Sequence, residues 1–170
     1  MFKGFALAVE RFEVAAKAQE PDDAYIPLFE ALGWAVALDS RTKEQWVPDG
    51  PDQKPGWGWR ERVNGAEVLR GVRWARNAIH HDWADALRLD ERGRRYPKTY
   101  PNVYFEWVWR PTDELPASER SDVDGEAVYH ECLEGQPARV TLTQLTEAFG
   151  LLSQLLEPHA LRPAPTAGGL

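Results

Sequence analysis

Cysteine occurs once in this 170-residue chain, at Cys132. A lone cysteine excludes an intramolecular disulfide and a zinc site of the usual multi-cysteine kind. It fits a reducing cytoplasm. Long hydrophobic runs are also missing. The apolar start, MFKGFALAVE, is cut off by Glu10 and Arg11 and has no cleavage-site pattern after it, so it does not read as a signal peptide. No stretch approaches the roughly twenty apolar residues that span a bilayer, so no membrane partner is expected. A glycine-rich phosphate loop is lacking, because Gly56-Trp57-Gly58 has neither the fingerprint nor a flanking strand. Tryptophan, in contrast, is abundant at eight residues, and the net charge is −7. That charge argues against a protein that coats DNA or anionic membranes.

Apolar spacing predicts a mainly α fold. Phe2, Phe5, Val9, Phe12 and Ala16 form one stripe of a helix over residues 2–19. Asp22 or Asp23 caps a second helix carrying Leu28, Leu32, Ala35 and Leu38, which tolerates Pro27 only near its first turn. Residues 45–63 contain WVPDGPDQKPGWGWRE and read as a loop whose Trp46, Trp57 and Trp59 fold back on the body. Asn64 and Glu67 suggest a capping box for a third helix, from about Gly65 to Leu89, with Val68, Val72, Ala75, Ile79, Trp83 and Ala86 on its apolar stripe.

The period then changes to two. Val103, Phe105, Trp107 and Trp109 alternate with Tyr104, Glu106, Val108 and Arg110, as in a strand whose tryptophans cover the bundle. Ala127–Leu133 and Ala138–Leu142 read as weaker strands. Thr141 and Gln144 offer another capping box, ahead of a last helix with Leu145, Phe149, Leu152 and Leu156. The expected architecture is an antiparallel helical bundle with a small β-hairpin or sheet appendage, about residues 102–141, inserted before the last helix. One domain is expected over 1–157, with a disordered tail over 158–170.

Charge is unevenly distributed. Residues 1–59 carry −4, residues 60–98 carry +4 and residues 99–170 carry −7. The basic segment reads either as a solvated helix face or as a phosphate-binding one. It contains Arg73-Trp74-Ala75-Arg76-Asn77-Ala78-Ile79-His80-His81-Asp82-Trp83. On a regular helix Arg73, Arg76, Asn77 and His80 share one side, and Asn77 neighbours His81. Arg76 and His81, five residues apart, diverge by about 140° at the helical step. Histidine shuttles protons near neutral pH, and arginine holds phosphate oxygens bidentately. Together they suit cleavage of an RNA phosphodiester by its own 2′-hydroxyl, a reaction that needs no metal-activated water. Adjacent histidines on an amphipathic helix also arise as one half-buried and one exposed ring.

Arg76-Asn77-Ala78-Ile79-His80-His81 resembles the RNxxxH motif of the HEPN superfamily, with His81 as the motif histidine. The resemblance implies a small helical bundle, often a metal-independent endoribonuclease working in toxins, antiphage defence or RNA processing, with no cofactor and no metal. It implies catalytic roles for Arg76 and His81, with support from Asn77 and His80. It also implies a homodimer that brings two motifs together, RNA as substrate, and an antitoxin or defence protein as partner. Other members only bind RNA or proteins, so a non-catalytic binding or assembly module is the second expectation. Arg73, Trp57 and Trp59 are the expected substrate-binding residues, the tryptophans by stacking on bases.

Competing sites are weaker. His81-Asp82 could belong to a metal phosphohydrolase, but no histidine precedes His80. His130 sits among apolar residues and reads as structural, and His159 lies in the tail.

Overall fold

The computed structural model describes residues 1–18, 21–45, 58–78, 86–94, 102–115 and 122–160. Trp46, Trp57, Ile79, His80, His81, Trp83 and residues 161–170 lie outside them. The expected mainly helical fold with a small antiparallel sheet before the last helix is present.

Helix α1 (Phe2–Lys17) and helix α2 (Pro21–Gln45) form the first layer. They run antiparallel: Gly4 abuts Trp34, and Arg11 pairs with Glu30. A Cβ at Gly4 would stand 2.7 Å from the Trp34 ring, so glycine there lets the indole lie on α1. Pro21 opens α2, where a missing N–H costs nothing. Asp22 and Asp23 fall in the first turn and complement the helix dipole. Phe5, Ala8, Val9 and Phe12 of α1 are buried, as are Leu28, Leu32, Ala35 and Leu38 of α2.

A one-turn helix, α3 (Trp59–Arg62), precedes α4 (Val68–Ala78). The turn between them uses Gly65 at φ 82°, a conformation that favours glycine. Helix α4 therefore starts three residues later than expected. Asn64 is not its cap, and Glu67 Oε1 accepts instead from Gln144 Nε2 at 3.2 Å.

The third helix does not continue to Leu89. Leu87 opens strand β1 (Leu87–Arg94), antiparallel to β2 (Asn102–Trp109), in a register that pairs Leu87 with Trp109 and Arg94 with Asn102. The β element is thus residues 87–109, not 102–141. A leucine- and arginine-rich segment with weak strand preference is drawn into β1 by pairing with the aromatic β2. Trp109 is fully buried, with Nε1 donating to Thr141 Oγ1 at 2.9 Å. Trp107 packs on Tyr25 and Phe29, with ring centroids 5.5 and 6.5 Å away. Both tryptophans cover the bundle as expected.

After a 3₁₀ turn at Thr112–Glu114 come helix α5 (Val123–Cys132) and helix α6 (Ala138–Ala160). Both weaker strand expectations are corrected here. Ala127–Leu133 lies in α5 and the turn after it, because Asp122 caps the helix by accepting from Gly125 N at 3.0 Å. Burial then recurs at Gly125, Tyr129 and Leu133, a helical step of four. Ala138–Leu142 is the start of α6, and Thr141 is an internal α6 residue rather than a cap. Pro137, the residue before α6, forms an isolated antiparallel bridge with Val108.

One core joins every layer. Tyr129 meets Trp74 at 4.9 Å and Trp109 at 6.0 Å, and donates its hydroxyl to the Arg110 carbonyl at 2.6 Å. The first and last helices close on each other through Phe149, which stands edge-on to Phe2 and Phe5. Each large apolar side chain enclosed this way contributes about 1.5–3 kcal/mol. No helix among the described residues is long and apolar enough to cross a membrane.

Candidate functional site

Helix α4 positions the predicted site. Of its eleven residues, Val68, Leu69, Gly71, Val72, Trp74, Ala75 and Ala78 are buried. The four that remain are Arg70, Arg73, Arg76 and Asn77. The unburied face of the helix is therefore three arginines and an asparagine. Gly71 makes this placement firm: a Cβ there would lie 2.7 Å from Leu133 Cδ1 and 2.9 Å from Tyr129 N, so α4 and α5 pack backbone to backbone.

The three arginines have different fates. Arg70 makes a 2.5 Å ion pair with Asp124, and both side chains are exposed. Such a pair holds weakly. Arg73 is committed to the fold. Its Nε and Nη2 donate to Asp39 Oδ2 at 2.9 and 2.7 Å, and Nη2 also donates to Ser40 Oγ and the Val36 carbonyl. Arg60 of α3 approaches the same carboxylate, with Nε 2.8 Å from Oδ1 and Nη2 on Oδ2. Asp39 is only 1% exposed, so a buried carboxylate between two guanidiniums ties α2 to α3 and α4. Arg76 is half-buried and makes no hydrogen bond or ion pair among the described residues. Its pKa is lowered, first by burial and then by the neighbouring Arg73 charge. An arginine remains protonated under such pressure, so the result is a partly desolvated cation with no counter-charge among the described residues.

The structure thus brings Arg73, Arg76 and Asn77 to one face, with Asn77 exposed. His80, His81 and Trp57 follow or precede the described segments and their positions are not assigned. Trp59 needs correction. It is fully buried beneath α3, so it packs the core and offers no face to a base.

Sequence reasoning missed Asp39 and Arg60. A signal for Asp39 exists: it lies four residues after Ala35 on the buried stripe of α2, where an acid demands a charged partner. Nothing in the sequence identifies which arginines answer it. Beside this network opens a cleft of about 490 Å³ lined by Arg60, Glu61, Glu67, Arg70, Arg73 and Asp122.

A second polar cluster joins α5 to the 3₁₀ turn. Glu134 Oε2 accepts from Thr112 Oγ1 at 2.6 Å and lies 2.7 Å from His130 Nδ1. The Thr112 bonds, then His130, hold the Glu134 carboxyl below its usual range, and the bond to Glu134 raises His130. His130 is exposed and pairs with a residue four positions on, in the turn that follows its helix, so its role is local. Burial pushes the Cys132 thiol up, which leaves it a poor nucleophile. Among the described residues no three histidine, cysteine, aspartate or glutamate side chains converge as a metal site requires. Comparison of the chain with protein-family models, characterised proteins and solved structures finds no match.

Proposed function

We propose that this chain is a metal-independent endoribonuclease of HEPN type, acting in the cytoplasm as a homodimer. The observation that carries the reading is the state of Arg76. Its neighbours Arg70 and Arg73 are paired with Asp124 and Asp39, while Arg76, in the motif position, has no partner among the described residues. A half-buried cation with no counter-charge among the described residues is suited to a phosphate whose charge grows in the transition state.

In the proposed reaction the ribose 2′-hydroxyl attacks the adjacent phosphorus. The bond to the 5′-oxygen breaks, leaving a 2′,3′-cyclic phosphate and a free 5′-hydroxyl. His81 takes the 2′-proton and supplies one to the leaving oxygen, with a second copy's His81 sharing the work. Arg76 stabilises the phosphorane oxygens, and Asn77 and His80 orient the groups. A toxin or antiphage role, with an antitoxin or defence protein as partner, follows from the same reading.

The test is cleavage of single-stranded RNA in EDTA by wild type, Arg76→Ala and His81→Ala. Loss of a charge-stabilising group lowers turnover about 10²–10³-fold, so both variants fall to background while the fold is kept. Equal activity in all three overturns the assignment. A second reading, a non-catalytic RNA- or protein-binding module, is favoured by the ion pairs that spend most of the α4 arginines on the fold. It predicts association with no turnover in any of the three proteins.

A further inference from the structure

We infer that the cleft beside α4 is a nucleotide subsite selective for bases that carry an exocyclic amine. The inference rests on the ribonuclease reading for the polymer, but the cleft's preference for a nucleotide is testable by itself. Four observations support it.

The first is size. About 490 Å³ is within the range of small-molecule sites and holds one nucleotide, not a base pair.

The second is chemical character. Three guanidiniums, Arg60, Arg70 and Arg73, line the cleft with three carboxylates, Glu61, Glu67 and Asp122. A lining of both signs repels a plain polyanion as much as it attracts one. It matches a ligand that offers an anion at one end and an exocyclic amine at the other. A nucleotide does so when its base is cytosine, adenine or guanine. Phosphate takes arginine, and carboxylates accept from exocyclic amines such as cytosine N4. Uracil has no such amine.

The third is which lining groups are at liberty. Arg60 and Arg73 are fixed on buried Asp39 and form a rigid wall. Asp122 caps α5, and Glu67 accepts from Gln144. Glu61 is exposed and has no hydrogen-bond or ion-pair partner among the described residues. Among the described residues Arg70 is held by the exposed Asp124, a contact that a phosphate can displace. The two adaptable groups are thus one cation and one anion, as the ligand requires.

The fourth is position. Arg73 lines the cleft and Arg76 follows it on α4, about 4.5 Å further along the helix axis at 1.5 Å per residue. A nucleotide in the cleft is adjacent in the chain to the phosphate at Arg76. Arg70 then holds the phosphate of the seated nucleotide, and Glu61 accepts from its base amine.

The experiment titrates cytidine monophosphate and uridine monophosphate into wild type, Arg70→Ala and Glu61→Gln, followed by amide chemical-shift changes. Both substitutions are at exposed positions and leave the fold intact, which the spectra report directly. Cytidine monophosphate is expected to bind about fivefold more tightly than the uridine form, the lower end for a base-edge contact. Arg70→Ala weakens both, and Glu61→Gln removes the preference. No shifts at cleft residues, or equal affinities that neither substitution changes, overturn the inference. RNA cleavage is measured in parallel. Nucleotide preference without cleavage retains the subsite and rejects the nuclease. Cleavage that depends on Arg76, with no preference in the cleft, does the reverse.

Discussion

Replacing Asp39 by asparagine is the most demanding perturbation of this fold. The carboxylate is 1% exposed and accepts from Nε and Nη2 of both Arg60 and Arg73, whose side chains are 11% and 23% exposed. Asparagine keeps the volume but removes the charge, and it turns an NH₂ toward a guanidinium. Two largely buried cations are then left facing each other. Removing one partner of a buried charge network costs about 3–5 kcal/mol. That is a large share of the roughly 5–15 kcal/mol that stabilises a domain. For a chain of this length each kcal/mol lowers Tm by about 2–4 °C, so Asp39→Asn drops Tm by roughly 6–20 °C. Urea and thermal unfolding followed by circular dichroism measure it. Lys17→Ala, which removes an exposed pair with Glu13, is the control and costs less than about 1 kcal/mol. If Asp39→Asn is as mild as that control, solvent screens the network and the argument for a buried cross-tie between α2, α3 and α4 fails.

Two further predictions follow from packing and titration. Gly71→Ala, although favoured by helix propensity, forces a methyl against Leu133 Cδ1 and the Tyr129 backbone, and lowers stability by about 1–3 kcal/mol in urea denaturation. A neutral or stabilising result would mean that α4 and α5 separate easily. His130 titrates above the ordinary histidine value near 6.5 because Glu134 accepts from it. Its contribution is fully present below that value and is lost as pH rises through the raised folded pKa. Glu134, held low mainly by Thr112, contributes above the usual carboxylate range and loses its contribution as pH falls through the lowered value. An NMR titration checks both, and Glu134→Gln returns His130 to its ordinary midpoint. An unchanged His130 midpoint in that variant refutes the pairing.

The helices were legible where burial is one-sided. Phe5, Val9 and Phe12, or Leu28, Leu32 and Ala35, repeat at steps of three and four because each helix faces one core. Strand β2 was legible because aromatic and β-branched residues alternate. Strand β1 was not, since Leu87-Arg88-Leu89-Asp90-Glu91 carries helix-forming residues and takes its conformation from its partner. Helix α5 was hidden because Val128 and Tyr129 are strand-favouring residue types, while the informative residue, Asp122 as a cap, sits in a polar stretch that reads as loop. On α4, the unburied placement of Arg76 and Asn77 was legible, because both fall off the helix's apolar stripe. The pairing of Arg73 and Arg60 with Asp39 was not, because it joins residues 34 and 21 positions apart, and local pattern carries no record of such contacts.

The edge-on seating of Phe149 against Phe2 and Phe5 has a consequence for biosynthesis. The ribosome delivers α1 first and α6 last of the described elements. During synthesis the aromatic side of the leading helix therefore waits for almost the whole chain before its counterpart emerges. In that interval a sticky surface is open to solvent and to other nascent chains. A contact between segments this far apart in sequence raises contact order, which slows folding. Shortening α6 ahead of Phe149 would leave Phe2 and Phe5 permanently without this cover.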